Sequence, residues 1–148
     1  FSELNRESVH QLLKNGQFFG SNGPEINFTI DEMSIGETVR LKESSEHKKF
    51  NLAVFDPAGL IESIVVYKGV IEQYSNTPNK RKKAIKVLEF FPTGEAEKRY
   101  FEKEFFREVN IGEFYRVEVI SSFGIVAYSK EKLEQDKGFA YTNPIWIE

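Results

Sequence analysis

Histidine and carboxylate side chains are the groups of this sequence that could do chemistry at neutral pH. The sequence has two histidines, His10 and His47, and no cysteine. Neither histidine stands in an HxH or HExxH pattern, so these residues cannot build a multi-histidine or thiolate metal site by themselves. We expect His10 to lie on a helix surface or at an interface and His47 to lie in a polar loop. The sequence therefore predicts no metal ligand and no cofactor in this chain.

The carboxylates allow two interpretations. Glu89, Glu102, Glu104 and Glu118 all fall in predicted strands, and two of them could face each other across a cleft as an acid and base pair. The alternation of polar and apolar residues favours a solvated outer face instead, where each carboxylate lies beside a Lys or Arg. The GxSxG, GxxxxGK[ST] and GxGxxG patterns are absent from the sequence, so nucleophilic and phosphate-cradling sites have no support. We predict no catalytic residue.

One run of positive charge stands out, formed by Lys80, Arg81, Lys82 and Lys83. It could contact a phosphate-bearing ligand or an acidic partner surface. A solvated loop is the simpler interpretation, because adjacent charges in a polar segment repel each other and hydrate. The formal net charge of −3 gives no reason to expect nucleic acid or an anionic membrane as a partner.

Aromatic residues offer a second possible binding surface. Tyr67, Tyr74 and Trp146 could form a platform on which a sugar stacks, if they are exposed. The sequence holds 14 Phe and 6 Tyr, so packing in one large core is the competing use. An aromatic platform would make the chain a carbohydrate-binding or cell-surface-binding module, which is the alternative function that we consider.

The elements that would position these residues begin with a helix and continue as strands. Asn5 can cap a helix from about Arg6 to Asn15, and Gly16 is a good stop. The period-two alternation of 25–31, 50–54 and 113–120 predicts half-buried strands. Pro144 cannot donate to a ladder, which places the last strand at an edge or a bulge. Eight to ten short strands of this kind predict a mainly β fold, an Ig-like antiparallel β-sandwich preceded by one short helix.

Turn and loop residues complete the expected layout. Polar residues predict loops at 42–49 and 75–83, Lys68-Gly69 predicts a hairpin turn, and 121–124 predicts another turn. We predict a strand at 99–109, and a helix over 95–106 is the alternative that stays open. A charged stretch at 129–137 is either helical or looped. No apolar run approaches the roughly 18 residues needed to span a bilayer, so we expect a soluble domain.

Two segments resemble the boundary and end of PHP-superfamily metal-dependent hydrolases of the CehA/McbA type. The first is 12–24 (LLKNGQFFGSNGP), which fits a "G-R-x-[FY]-x-[ST]-N-G-P" passage except that Gln17 replaces the usual arginine. The second is 140–146 (AYTNPIW), which fits a closing "[FY]-T-N-P-[IV]". Between them, 35–39 (IGETV) and 64–69 (IVVYKG) resemble a turn and a hairpin of that family. The resemblance spans the chain through short motifs in the expected order.

The resemblance implies that 1–24 is a helix and linker at the tail end of a preceding catalytic domain, and that 25–148 is the sandwich domain. The family's His, Asp and Glu ligands for divalent metals would lie in that upstream PHP domain, which would be the partner of this segment. No ligand carries over to this chain, which is then a non-catalytic accessory domain. Two motifs do carry over, and we expect them to be structural: Asn22, Gly23 and Pro24, and Thr142, Asn143 and Pro144.

Overall fold

The computed structural model describes residues 5–71, 84–124 and 136–148. Within these ranges the chain forms two short helices and eleven strands. The elements are α1 (Arg6–Lys14), β1 (Phe19–Ser21), β2 (Glu25–Ile30), β3 (Met33–Ser34), β4 (Thr38–Val39), β5 (Ser45–Phe55), β6 (Ile61–Val70), β7 (Ile85–Phe90), α2 (Gly94–Arg99), β8 (Tyr100–Asn110), β9 (Glu113–Gly124), β10 (Asp136–Thr142) and β11 (Ile145–Ile147).

The strands form a seven-stranded and a four-stranded sheet. In the seven-stranded sheet, β9 pairs with β6 along one edge and with β10 and then β11 along the other. Strand β7 flanks β6, β1 flanks β10, and β4 runs parallel to β11. The four-stranded sheet has the order β3-β2-β5-β8 and is antiparallel. A mainly antiparallel β-sandwich with a short N-terminal helix is therefore confirmed.

The core lies between the two sheets and is filled by alternate residues of their strands. Ile26, Phe28 and Ile30 of β2 are buried while their neighbours Glu25 and Asn27 are exposed. Phe50 lies at the centre, and its ring centroid is 5.1 Å from those of Phe105 and Tyr115. Such ring pairs stabilise a core beyond the area that they bury. The alternation that predicts these strands also orients the aromatic core.

Helix α1 begins as the sequence predicts. The Asn5 side chain accepts a hydrogen bond from Ser8 N at 2.9 Å, and the Ser8 hydroxyl accepts one from Asn5 N at 3.0 Å. Asn15 is the C-cap, and Gly16 follows with a φ of +71°, the left-handed conformation that glycine adopts without steric cost. The capping box and the glycine stop fix both ends of α1.

The predicted hairpin turn at Lys68-Gly69 is wrong, because β6 continues without a break to Val70. Gly69 faces Phe114 of β9, and a Cβ atom at Gly69 would lie 2.1 Å from Phe114 Cζ. A glycine in a strand can mark a close approach as readily as a turn. Here it makes room for the ring.

Two further loop predictions are also wrong. The segment 45–49, expected in a loop, is the first part of β5, because the long edge strand β8 pairs with it residue for residue from Ser45 with Asn110. Residues 121–124, expected in a turn, continue β9, and Ser121 is buried with Gly138 packed against its hydroxyl. Neither segment has the period-two alternation of a half-buried strand, and the strand conformation of both depends on a partner strand that their own pattern does not reveal.

The segment 95–106 combines both interpretations. Helix α2 occupies Gly94–Arg99 and strand β8 begins at Tyr100. Gly94 is the first residue of this helix and has a φ of +75°, and it follows the extended N-cap Thr93. The predicted strand is therefore confirmed from Tyr100 onward, and one and a half turns of helix precede it.

Candidate functional site

The two histidines lie on different elements of the fold. His10 lies on α1 and His47 lies on β5 rather than in a loop, and both are exposed. Within 5–71, 84–124 and 136–148, no three His, Cys, Asp or Glu residues come close enough to hold a metal ion. In the same ranges, no helix is long and apolar enough to cross a bilayer.

The four carboxylates of the strands lie on the outer faces of the sheets. Glu89 pairs with Lys86 at 3.1 Å, Glu104 lies 3.9 Å from Lys49 Nζ, and Glu118 pairs with Arg116. Glu102 projects from β8 beside Glu104 and is exposed. Such exposed ion pairs contribute little to stability, and their placement follows from the alternation of the strands. Glu102 and Glu104 line one shallow depression, but they are neighbours on the same face of β8 and do not face each other across a cleft.

The aromatic platform proposed from the sequence is divided. Tyr74 lies outside the described residues, as does the basic run Lys80–Lys83. Tyr67 and Trp146 share the outer face of the seven-stranded sheet, where each half-buried ring already has a partner. The Arg116 guanidinium lies 4.6 Å from the Tyr67 ring centroid, and the Phe114 and Trp146 centroids are 5.2 Å apart. Burial, followed by the Glu118 carboxylate, raises the pKa of Tyr67.

The Asn22-Gly23-Pro24 motif extends the pairing between β1 and β10. Asn22 N donates to Phe139 O at 3.1 Å, and Phe139 N donates to Asn22 Oδ1 at 2.6 Å. Gly23 N donates to the Ser21 hydroxyl at 3.0 Å, and Pro24 is buried. The asparagine side chain thus supplies a strand-like acceptor where the backbone leaves the sheet. The motif moves the chain from one sheet to the other.

The Thr142-Asn143-Pro144 motif is the break between β10 and β11. Pro144 has no N–H, and the strand bulges there away from β9. The Thr142 hydroxyl, which is buried, accepts a hydrogen bond from Val117 N at 3.0 Å. Asn143 Nδ2 donates to Gly16 O at 2.9 Å. The Thr142 hydroxyl thus accepts from the backbone N–H that the bulge would leave unpaired. The Asn143 side chain holds the end of α1.

The end of α1 is fixed to the sandwich by close backbone packing as well. Gly36 has a φ of +80°, and a Cβ atom there would lie 2.6 Å from the Gly16 carbonyl. Gly36 N donates to Pro144 O at 3.0 Å, and Gln17 Nε2 donates to Glu37 Oε1 at 3.4 Å. The helix therefore leaves the sandwich in a defined direction.

The apolar face of α1 is uncovered, in contrast to its anchored end. No residue of α1 is buried, and Val9 and Leu13 are 40% and 55% exposed. These two side chains lie one helical turn apart on the same face. Apolar side chains grouped on one face of a helix lie against another element in most proteins. Nothing in the described part of the chain covers this one.

A buried polar cluster lies where β8 turns into β9. The Glu113 carboxylate accepts hydrogen bonds from Tyr115 Oη at 2.7 Å, Asn110 N at 3.0 Å, Asn110 Nδ2 at 3.1 Å and Lys68 Nζ at 3.3 Å. Burial alone would raise the pKa of Glu113, but these hydrogen bonds and the Lys68 charge outweigh it and hold that pKa below its ordinary value. Burial and the same carboxylate raise the pKa of Tyr115. Both oxygens of the Glu113 carboxylate are thus paired inside the protein, which fits a structural role for the cluster.

A groove that the sequence did not reveal crosses the outer face of the four-stranded sheet. Two adjoining depressions of about 260 and 240 Å³ share Asn27, Ala53 and Tyr100 as lining residues. Phe55 and Tyr100 are direct cross-strand partners at one end, and they are 44% and 51% exposed. Residues farther along the groove are mostly polar: Thr29, Asn51, Glu102 and Glu104.

Comparisons with protein-family models, curated proteins and solved structures found no match.

Proposed function

We propose that this chain is a non-catalytic accessory domain of a PHP-type metal-dependent hydrolase, and that the apolar face of α1 packs against the catalytic domain. The observation that carries the proposal is a helix whose end is anchored and whose apolar face is uncovered. A nine-residue helix is marginal without packing partners. The contacts of Gly16 with Gly36 and Asn143 hold the base of α1 firmly, so the exposed face is presented in a constant orientation.

The resemblance supports the identity of that neighbour. In the resembled family, the passage that ends in Asn22-Gly23-Pro24 follows the last helix of a metal-binding domain, which is the position of α1 in this chain. The divalent metal and its ligands belong to the catalytic domain in this proposal, and the sandwich stabilises that domain or shapes its cleft.

The sequence that the gene encodes directly upstream of Phe1 gives the most economical test. We expect it to encode a domain with an opening HxH motif and further His and Asp ligands. An upstream region without such a domain, or robust phosphoesterase activity of the 148-residue chain with divalent metal, would contradict the proposal.

A pair of matched variants tests the docking of α1. Leu13→Lys places a charge on the uncovered face, and Gln11→Lys places the same charge on an exposed position at the opposite face of the same helix. In the complete polypeptide we expect Leu13→Lys to lower the melting temperature and hydrolase activity, while Gln11→Lys leaves both unchanged. In the isolated chain neither variant should differ from wild type, because both side chains are exposed there. Equal behaviour of the two variants in the complete polypeptide would exclude docking through this face.

A further inference from the structure

We propose that the groove on the outer face of the four-stranded sheet binds a neutral oligosaccharide. This inference goes beyond the accessory role and does not depend on it. The groove is formed by β2, the second half of β5 and the first half of β8, with Ala53 as a small residue between Asn27 and Glu102 in one cross-strand row. The rows from Glu25 to Thr29 extend over about 13 Å at the rise of a β-strand, which suits a short chain of sugar rings.

The aromatic end of the groove offers the faces on which sugar rings stack. Phe55 and Tyr100 expose about half of their surface and lie opposite each other on neighbouring strands. A sugar ring presents a face of C–H groups, which packs on an aromatic ring and removes apolar surface from water. The rings of Tyr67 and Trp146, in contrast, are already in contact with Arg116 and Phe114.

The polar part of the groove has unused hydrogen-bonding capacity. Within the described ranges, the side chains of Asn27, Asn51 and Glu102 make no hydrogen bond and no ion pair. Each amide offers two donors and one acceptor oxygen, and the carboxylate accepts from hydroxyl groups. Sugar hydroxyls both donate and accept, so they match this set. A site with apolar faces and a few polar groups is typical of small-ligand recognition.

The charges of the groove argue for a neutral ligand. Glu25, Glu102 and Glu104 line it, against Lys103 in the lining and Lys49 beside Glu104. Three carboxylates against two lysines disfavour an anionic sugar or a phosphate. A peptide in β-conformation is disfavoured as well, because such a peptide pairs with the backbone at the edge of a sheet. The groove lies on the face of the sheet, where side chains project, and its central strand β5 is paired on both sides.

Glycan arrays carrying neutral oligosaccharides beside sulfated and uronic-acid ones test the proposal. We expect the chain to bind one or more neutral oligosaccharides. Titration of the isotope-labelled chain with the tightest-binding array oligosaccharide should then shift the NMR signals of the groove residues. Absence of neutral hits, binding to anionic glycans alone, or shifts confined to another surface would each overturn it, as would binding of a peptide at the groove with no sugar bound.

Matched variants locate the site. Tyr100→Ala should weaken oligosaccharide binding at least about tenfold, a loss that a single stacking contact of 1.4 kcal/mol produces. Phe106→Ala removes an exposed ring on the same face of the same strand but outside the groove, and it should leave binding unchanged. Asn51→Ala is a second variant should Tyr100→Ala fold poorly, and we again expect weaker binding. Unaltered binding in folded groove variants refutes the site.

The two proposals fail separately. Absence of oligosaccharide binding leaves the docking of α1 in place, because Val9 and Leu13 lie outside the groove. Absence of an upstream hydrolase domain leaves the groove in place for the same reason.

Discussion

Replacing Glu113 by glutamine should destabilise the domain strongly although the two side chains have nearly the same shape. The carboxylate accepts four hydrogen bonds, two at each oxygen, from Lys68, Asn110 and Tyr115. Glutamine has one acceptor oxygen, so its NH₂ group would face two donors at the other position. Those donors would lose their partner in a site where the Glu113 side chain is 7% exposed.

The size of the loss follows from these contacts. A hydrogen bond to a charged group contributes about 1.5–3 kcal/mol, and two such bonds are lost while Lys68 can turn toward water. We therefore expect a loss of about 3 kcal/mol in the free energy of unfolding at pH 7, or roughly 6–12 °C in melting temperature for a domain of this size. Urea denaturation of wild type and Glu113→Gln measures this difference in the free energy of unfolding.

The pH dependence gives a second, independent expectation. The pKa of Glu113 is lower in the folded protein than in the unfolded chain. Its stabilisation is therefore fully present above the unfolded pKa and is lost as the pH falls through the folded pKa. Wild type should lose stability in acid faster than Glu113→Gln, so the difference between them should narrow below about pH 4.

The control is Glu95→Gln, which removes a carboxylate that is 78% exposed and pairs with Arg99 on α2. We expect a change within about 0.5 kcal/mol and no change in the acid profile. Glu113→Gln with a loss under about 1 kcal/mol at pH 7, or a difference from wild type that stays constant into acid, would refute the hydrogen-bond account of this cluster.

Two further predictions concern the strands of the seven-stranded sheet. Gly69→Ala should destabilise the domain by about 1–3 kcal/mol, because its Cβ would lie 2.1 Å from Phe114 Cζ. The control is Gly94→Ala, which should destabilise the domain less, because nothing lies within 4 Å of the added Cβ and only the φ of +75° is strained. Equal losses of the two variants in urea denaturation would contradict the packing argument. Thr142→Val keeps the side-chain shape but leaves Val117 N without its acceptor. We therefore expect the free energy of unfolding to fall by about 1–3 kcal/mol and hydrogen exchange at the Val117 amide to become faster. Unchanged exchange at that amide would show that the hydroxyl is dispensable.

The fold class was predictable because one physical signal, period-two burial, repeats along most of the chain. Strands such as β2 show it fully: Ile26, Phe28 and Ile30 face the core, and the residues between them do not. The same holds for Tyr115 and Val117 in β9. Helix α1 was equally predictable, since its cap and stop residues act over three or four neighbouring positions.

The errors arose where distant residues decide the local conformation. Gly69 has the composition of a turn, yet its conformation is set by Phe114, which lies 45 positions away in the chain. The polar start of β5 is a strand because β8 extends beside it. Local propensity cannot report either effect, because strand formation depends on the partner strand.

The groove shows the same limitation for function. Phe55 and Tyr100 are adjacent in space only because β5 and β8 pair in one register. Shifting β8 by one residue against β5 would send the Tyr100 ring to the other face of the sheet and separate it from Phe55. The chemistry-bearing residue types were visible in the sequence, but their grouping was not.

The hydrogen bond between Asn143 and Gly16 joins residues 127 positions apart, and this separation has a consequence for the order of folding during synthesis. Helix α1 leaves the ribosome before every strand of both sheets, but its anchor Asn143 emerges after all of these strands except β11. Contacts of such high sequence separation form late, since the loop between them must close first. In the accessory-domain arrangement that we propose, a domain on the N-terminal side would have time to fold as a unit before α1 takes its fixed direction. The segment between the last two strands thus fixes the direction of a helix that is synthesised long before it.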